Sequence, residues 1–345
     1  MITVAIDEEH TRQTSAGTAR ASRSLVKALS ARDDLRVVTV GGGDLLARGT
    51  ARKRLATAHQ DFLWYPLLGR RRAAAAGADV YHCPTPRAPF MRGRPPLVVT
   101  VHDLVPVLFP ETMTTWSRLY GRATMRGVLR SADLIVTPSN DTANDLTSLL
   151  GVNPDRIRVV WNGVDDIFFS PQREATNHND PYVLFVGTPE PRKNLSRLIE
   201  AMGELRDRGY PHRLVVAGGG GWGDVQLQAE KVELAGRVSD EKLVSLYARA
   251  ACLALPSLHE GFGLPAAEAM AVGTPVVAGA RGALPEIVGN AGILVDPYDV
   301  NAIAAGIERA IADPAPLIAA GRVRAPQFSW VKAAESMASI YHELA

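Results

Sequence analysis

The chain opens with an apolar run at residues 2–6 (ITVAI), then a polar loop, then SRSLVKAL with apolar residues at helical spacing. Short β-rich runs follow: RVVTV at 36–40, DVYH at 79–82, LVVTVHD at 97–103 and DLIVTPS at 133–139. Helix-like segments at 117–131 and 140–150 separate them, and RIRVVWNGVD at 156–165 predicts a last strand closed by an Asn-Gly turn. SPQREATNHNDP at 170–181 is polar and aperiodic, with a proline near each end, which is linker composition. The alternation then restarts with YVLFVGT, a helix at 195–208, RLVVAGGGG, a helix near 224–231, VELAGRV and a helix at 240–250. CLALPS, a helix from 265, PVVAG, a helix from 283, GILVDP and a helix at 302–311 complete it, and residues 328–345 close the chain as an amphipathic helix. Strands alternating with helices predict parallel sheets covered on both faces, here two doubly wound Rossmann-like domains in tandem. Ligands of such sheets sit at the carboxyl ends of the strands.

Length and composition agree with two domains. The chain has 345 residues, 46% hydrophobic and 21% charged, the balance of a globular protein. No run approaches the roughly 18 apolar residues of a membrane span, and MITVAIDEEH turns acidic too early for a signal peptide. Two cysteines, Cys83 and Cys252, are too few for a metal cage and read as buried thiols. The expected location is therefore cytoplasmic. Charge is uneven: residues 1–170 carry 22 Lys+Arg against 16 Asp+Glu, and the remainder 16 against 20. A basic front half suits an anionic partner or a membrane surface, or is a solvated face. Nothing points to nucleic acid.

The segment HEGFGLPAAEAMAVGTPVV at 259–277 carries the strongest chemistry. Pro265 predicts a helix start, with Glu268 in its first turn and Glu260 just before it. Helix-start N–H groups, with Gly261 and Gly263 permitting close approach, suit a phosphate, and two carboxylates suit sugar hydroxyls. Glu268 alone also fits an acid favoured at a helix N-terminus. In VGTPEPRKNLSRLIEA, Arg192 and Lys193 follow a strand and precede a helix, where paired cations stabilise a leaving diphosphate or simply face water. His102, at the end of TVHDL, reads as structural or as a site residue, with Asp103 capping the next turn. Gly17, in a loop before a helix, is a weak signal. No aspartate-x-aspartate pair or metal-ligand cluster is evident, so no metal is expected.

E-G-F-G-L-P-x-x-E-A-M-A-x-G-T-P-V-V closely resembles the E-x7-E motif of retaining glycosyltransferases with the GT-B fold, the family-4-like group that includes bacterial mannosyltransferases. The resemblance implies two Rossmann-like domains facing across a cleft: 1–170 on the acceptor side, 171–328 on the donor side, and helix 329–345 returning to the first. It implies that Glu260 faces the donor sugar, that Glu268 binds ribose hydroxyls, and that Gly261, Phe262, Gly263 and Leu264 form a backbone cradle. E-P-R-K-N resembles the family's diphosphate loop, although Gly187 is followed by Thr188 where many members have arginine. His102 matches a histidine that contacts the donor sugar, and Gly17 a first-loop glycine that lets amides approach phosphate or acceptor. Ser139, Asn140 and Asn162 match cleft-wall and turn positions. Val238 and Asp240 match a loop that reads the base, with Ser239 or Asp240 equally suited to helix capping. The resemblance implies a nucleotide diphosphate sugar as substrate, GDP-mannose or a UDP-sugar, no cofactor, and a saccharide or lipid-linked acceptor in glycan biosynthesis.

Two alternatives stay open. Gly218, Gly220 and Gly223 satisfy G-x-G-x-x-G with Asp240 about 20 residues on, the pattern of an NAD-dependent enzyme. That reading leaves Glu260, Glu268, Arg192 and Lys193 without roles. The GT-B fold also hosts epimerases and phosphorylases. Finally, Arg118, Arg122, Arg126 and Arg130 recur every four residues, and KRLATAHQDFLWYPLLGRRR interleaves apolar and basic groups. This is a solvated face or a peripheral contact with anionic membrane.

Overall fold

The structure is a computed structural model, and it describes residues 1–9, 17–41, 59–110, 124–169, 180–219 and 231–345. The chain divides into two compact units, one of Met1–Gly163 with Trp330–Ala345, the other of Val164–Ser329. The first boundary falls just after the Asn-Gly pair, ahead of the polar stretch at 170–181.

Unit 1 holds a six-stranded parallel sheet in the order β2-β1-β3-β4-β5-β6. Its strands are β1 (Ile2–Asp7), β2 (Leu35–Val40), β3 (Val80–Cys83), β4 (Leu97–Thr100), β5 (Leu134–Thr137) and β6 (Ile157–Val159). Burial on both faces explains the near-continuous apolar sequence of β3, β4 and β5, while the edge strands β2 and β6 are partly exposed. Val4, Ile6, Val98, Leu134 and Val136 point to one face, where the last helix, Trp330–Leu344, covers them with Ala333, Ala334, Met337, Ile340 and Tyr341. Ala5, Leu97, Val99 and Ile135 point to the other, into a separate cluster with Met125, Val128, Leu129 and Leu146. Tyr341 ties the returning helix to the sheet through a 2.7 Å hydrogen bond with His82 Nδ1, whose Nε2 meets Thr100 Oγ1 at 2.8 Å. Burial pulls His82 down to about 3, so the imidazole is neutral at pH 7 and bridges the two hydroxyls.

Unit 2 repeats the plan. Strands β7 (Tyr182–Val186), β8 (Arg213–Ala217), β9 (Val232–Gly236), β10 (Cys252–Leu255), β11 (Val276–Gly279) and β12 (Ile293–Val295) lie parallel in the order β12-β11-β10-β7-β8-β9. The connections run one way from β7 through β8 to β9, and the other way from β10 to β12. The topological switch therefore lies between β7 and β10, which pair directly with Cys252 opposite Val183. In an open α/β sheet this is where a ligand crevice forms.

Several elements differ from the expectation. The strand expected over 156–165 is only three residues long, and Val164 instead bridges to Ser329. Pro314–Arg324 is an additional helix; its prolines 314 and 316 fall in the first turn, where a missing N–H costs nothing. Gln60–Leu68 is a π-helix containing Pro66, followed directly by the helix Gly69–Ala75. Neither shows the clear 3.6-residue pattern that predicts a helix. The helix expected at 117–131 is observed over 124–131, so Arg118 and Arg122 lie outside the described residues, as does most of the helix expected near 224–231. Among the described residues no helix is long and apolar enough to cross a membrane. Both cysteines are free and buried.

Candidate functional site

The pairing of β7 with β10 brings together two loops that are 67 residues apart in sequence. The loop after β7 carries Glu190, Arg192 and Lys193; the loop after β10 carries Ser257 and Glu260. Lys193 Nζ donates to Glu260 Oε1 at 2.6 Å, and Ser257 Oγ donates to the same oxygen at 2.7 Å. Arg192 reaches Glu260 Oε2 at 3.2 Å and donates to the His259 carbonyl at 2.5 Å, while its other terminal nitrogen donates to Glu190 Oε1 at 2.5 Å. Glu260 is only 6% exposed. Burial alone would push its carboxyl up, but the Lys193 and Arg192 cations and the Ser257 hydroxyl outweigh it and hold Glu260 down at about 2. It is an anion at any physiological pH.

The basic loop is fastened independently of its charges. Pro191–Lys193 is a 3₁₀ turn closed by the Lys193 N–H to the Glu190 carbonyl at 3.0 Å. Asn194 follows in the left-handed conformation (φ 60), and its amide donates to the carbonyls of Pro256 and Pro297 at 3.0 and 2.6 Å. The Leu258 N–H donates to the Arg192 carbonyl at 2.8 Å, so the two loops share backbone as well as side-chain bonds. Gly282 completes the cradle: its φ is +60, and a Cβ there would lie 2.7 Å from the Glu260 nitrogen.

The helix after Glu260 runs Leu264–Val272 from Gly263 as N-cap (φ 94). Glu268 is thus its fifth residue, in the second turn, and not in the first turn as its spacing from Pro265 implies. There it is 3% exposed and accepts a hydrogen bond from Tyr247 Oη at 3.0 Å. Pro265 has no N–H, and the N–H groups of Ala266 and Ala267 bond the Gly263 carbonyl. Donors at this helix start are therefore those preceding Ala266. The ring of Phe262 is 5% exposed and packs edge-on against Phe328 with centroids 5.6 Å apart, so this residue offers a ligand its backbone only.

The remaining positions are more dispersed. Gly187 ends β7 with its N–H on the Ala217 carbonyl. A Cβ at Gly218 would fall 2.0 Å from the Gly187 oxygen, so that glycine is required by strand-end packing rather than by a dinucleotide. Gly220 and Gly223 lie outside the described residues. Val238 and Asp240 follow the edge strand β9, two strands from β7; Ser239 caps the helix Asp240–Arg249 by accepting from the Lys242 N–H at 3.3 Å. In unit 1, His102 Nε2–H donates to the Pro84 carbonyl at 2.9 Å, and burial lowers its pKa. With Nε2 donating, the neutral ring keeps Nδ1 as an acceptor, and His102 lines a cavity with Pro84, Thr100, Trp161, Asn162 and Trp330. Asp103 Oδ1 accepts the Val105 N–H at 3.1 Å, and Ser139 caps Asn140–Leu150 through the Thr142 N–H. Among the described residues a Cβ on Gly17 would meet nothing within 4 Å.

Comparison with known proteins accounts for both units. Residues 15–167 match the model of Glycosyltransferase Family 4, and residues 166–324 that of Glycosyl transferases group 1. O-antigen chain mannosyltransferase B of Escherichia coli is 35% identical over 294 residues, 77% of this chain and 76% of that protein. The chain belongs to the family-4-like GT-B glycosyltransferases. The fold agrees: sucrose-phosphate synthase of Thermosynechococcus elongatus superposes with a TM-score of 0.77 at 23% identity, covering 100% of this chain and 99% of that one. The Anabaena protein Alr3699/HepE, solved in complex with UDP and glucose, superposes with a TM-score of 0.73 at 20% identity, covering 99% and 100%.

Within this family-4-like glycosyltransferase, the family resemblance singled out Arg192, Lys193 and Glu260, and the structure brings both cations onto Glu260. Glu190, Asn194, Ser257 and Tyr247 escaped sequence reasoning. Ser257 stands three residues before Glu260 and Glu190 two before Arg192, so local spacing held a signal for both. Tyr247 is 21 residues from Glu268, and no pattern links them.

Proposed function

We propose that this glycosyltransferase is a retaining, metal-independent hexosyltransferase that moves mannose from GDP-mannose to a saccharide or lipid-linked acceptor in glycan biosynthesis. The observation that carries it is the buried cluster in which Arg192 and Lys193 converge on an ionised Glu260 at the switch point of unit 2. The carboxylate oxygens are acceptors for sugar hydroxyls. Lys193 has three N–H donors, of which Glu260 uses one, and with Arg192 it supplies the positive charge that a departing diphosphate needs. In this reading these donors take the place of a divalent cation. Glu268 binds the ribose hydroxyls, and the backbone from Gly261 to Leu264 cradles sugar and diphosphate. Gly187, Val238 and Asp240 line the rest of the nucleotide. His102, neutral through burial, hydrogen-bonds substrate rather than transferring a proton. The bond from the anomeric carbon to the diphosphate oxygen breaks, the acceptor oxygen bonds the same face, and its proton passes to the diphosphate. The mannosyltransferase relative of Escherichia coli supports mannose, and the UDP-bound Anabaena structure makes UDP-glucose the comparison donor.

The test is nucleotide release from GDP-mannose and UDP-glucose, with the anomeric configuration of the product read by NMR. Faster GDP release, unchanged by EDTA and with retained configuration, is expected. Lys193→Ala and Glu260→Ala should abolish it, and wild-type turnover in either variant would sink the assignment.

We further propose peripheral contact with anionic membrane through unit 1. Phe62, Leu63, Leu67, Phe90 and Met91 are exposed, and so are Arg71, Arg72, Arg92, Arg94, Arg126 and Arg130. The elements that carry them are joined by an Arg87–Asp61 ion pair at 3.0 Å and by Arg92 Nε on the Arg130 carbonyl at 3.4 Å. Exposed apolar and cationic side chains on joined elements suit an interface with anionic lipid. Flotation with phosphatidylglycerol vesicles but not with phosphatidylcholine vesicles is expected; no flotation with either removes this contact.

A further inference from the structure

We infer that Glu190 is a positioning residue for the donor diphosphate, acting only through Arg192. This rests on the reading of unit 2 as the nucleotide-sugar site. Glu190 makes the turn that carries both cations and also grips one of them. Its carbonyl closes the Pro191–Lys193 turn, and its carboxylate takes Arg192 at 2.5 Å. Pro191 between them fixes φ, which limits the ways the turn can open. On its far side the guanidinium is held by the His259 carbonyl and Glu260. Arg192 is therefore clamped at both ends of its planar fork, by a carboxylate on each side.

The electrostatics make this placement informative. Glu190 and Glu260 balance Arg192 and Lys193, so the four side chains sum to zero. A carboxylate only 7% exposed, one residue's reach from a diphosphate site, opposes an incoming anion by simple repulsion. Its presence is favourable to the ligand only if holding the guanidinium outweighs that repulsion. An arginine side chain has rotamer entropy to lose, and a fork already fixed loses less of it on binding. Geometry and charge thus act in opposite directions, and two variants separate them. Glu190→Gln keeps an acceptor for Arg192 but removes the charge. Glu190→Ala removes both.

The experiment measures GDP and UDP dissociation constants by calorimetry, with melting temperatures, for wild type, Glu190→Gln, Glu190→Ala, Arg192→Met and the Glu190→Ala/Arg192→Met pair. Glu190→Gln should bind as well as wild type or more tightly. Glu190→Ala should bind roughly ten- to hundredfold more weakly, the scale of a hydrogen bond to a charged group. In the Arg192→Met background Glu190→Ala should cause no further loss and should bind equally or more tightly, because without the guanidinium only the repulsion of the carboxylate remains. A merely structural role lowers the melting temperature and the active fraction without moving the dissociation constant. Glu190→Ala binding as tightly as wild type, or an equal loss with and without Arg192, overturns the proposal. If Glu190→Ala fails to fold, Glu190→Asp, whose shorter side chain cannot keep the same grip, takes its place with the same expected direction. Should wild type bind neither nucleotide, the reading of the site itself fails; binding by wild type with an additive cycle refutes Glu190 alone.

Discussion

Replacing Lys193 by methionine removes a cation while keeping most of its apolar volume, and so isolates the contribution of the buried ion pair to Glu260. The depression of Glu260 from its ordinary 4.5 to about 2 corresponds to about 3 kcal/mol favouring the ionised form, net of burial, which acts the other way. Lys193 is the first of the cations that oppose burial, and both side chains are nearly covered, at 12% and 7% exposure. Removing one partner of such a pair leaves a buried charge short of compensation, a change that destabilises by about 3–5 kcal/mol. Arg192 and Ser257 remain on the carboxylate, which sets the expectation at the lower end, about 3 kcal/mol at pH 7. The sign with pH follows from the direction of the shift. A carboxyl depressed in the folded state adds stability above pH 4.5 and loses it as pH falls toward 2. The deficit of the variant is therefore full at pH 7 and narrows below pH 4.5. Urea unfolding at pH 7 and pH 4 measures it, with amide exchange of the β10 and Leu264–Val272 peptides locating the effect in unit 2. Glu260→Gln added to Lys193→Met should recover most of the loss, because it discharges the stranded group. A deficit under about 1 kcal/mol at pH 7, or no recovery in the double variant, refutes the claim that the pair is both buried and coupled.

Asp7, buried at the end of β1, accepts from Trp64 Nε1 at 2.7 Å and Tyr81 Oη at 2.5 Å, yet burial raises it to about 6. A raised carboxyl lowers stability as pH climbs from about 4 to 6, so Asp7→Asn should raise the melting temperature at pH 8 by removing a penalty of up to about 3 kcal/mol. An unchanged slope between pH 4 and 6 in that variant counts against the assignment. His82, held down at about 3 by burial, contributes stability above pH 6.5 that disappears as acid approaches pH 3. Tyr341→Phe, which removes one of its hydroxyl partners, should cost about 1–2 kcal/mol and release the last helix in amide exchange before the rest of unit 1. Gly282→Ala should shift the Glu260 backbone and cost about 1–3 kcal/mol, with nucleotide affinity falling alongside; a variant as stable and as tight-binding as wild type would show that the loop tolerates a side chain there.

Local pattern carried much of this molecule. Alternation of apolar runs with helical periods is enough to announce two parallel sheets, because a strand buried on both faces must be apolar throughout and a covering helix must be amphipathic. Residue chemistry was local at Glu260, where a glycine-rich turn and a proline-started helix mark a strand end, whereas Arg192 and Lys193 were singled out only by the resemblance of E-P-R-K-N to a diphosphate loop. What pattern missed were elements with weak periodicity, Gln60–Leu68 and Pro314–Arg324, whose prolines read as punctuation although they fall inside or at the start of a helix. Pairing across the sheet was beyond it altogether. Strand order decides that β7 lies beside β10, and only that adjacency lets Lys193 neutralise Glu260 and turns a surface loop into a buried charge cluster. The same holds for Tyr247 on Glu268, for Asn194 on Pro256 and Pro297, and for Glu190, whose place in E-P-R-K-N gave no sign that it grips Arg192. The physical reason is range: periodicity and capping act over a few residues along the chain, whereas the field at a carboxylate sums over every group within a few ångströms in space.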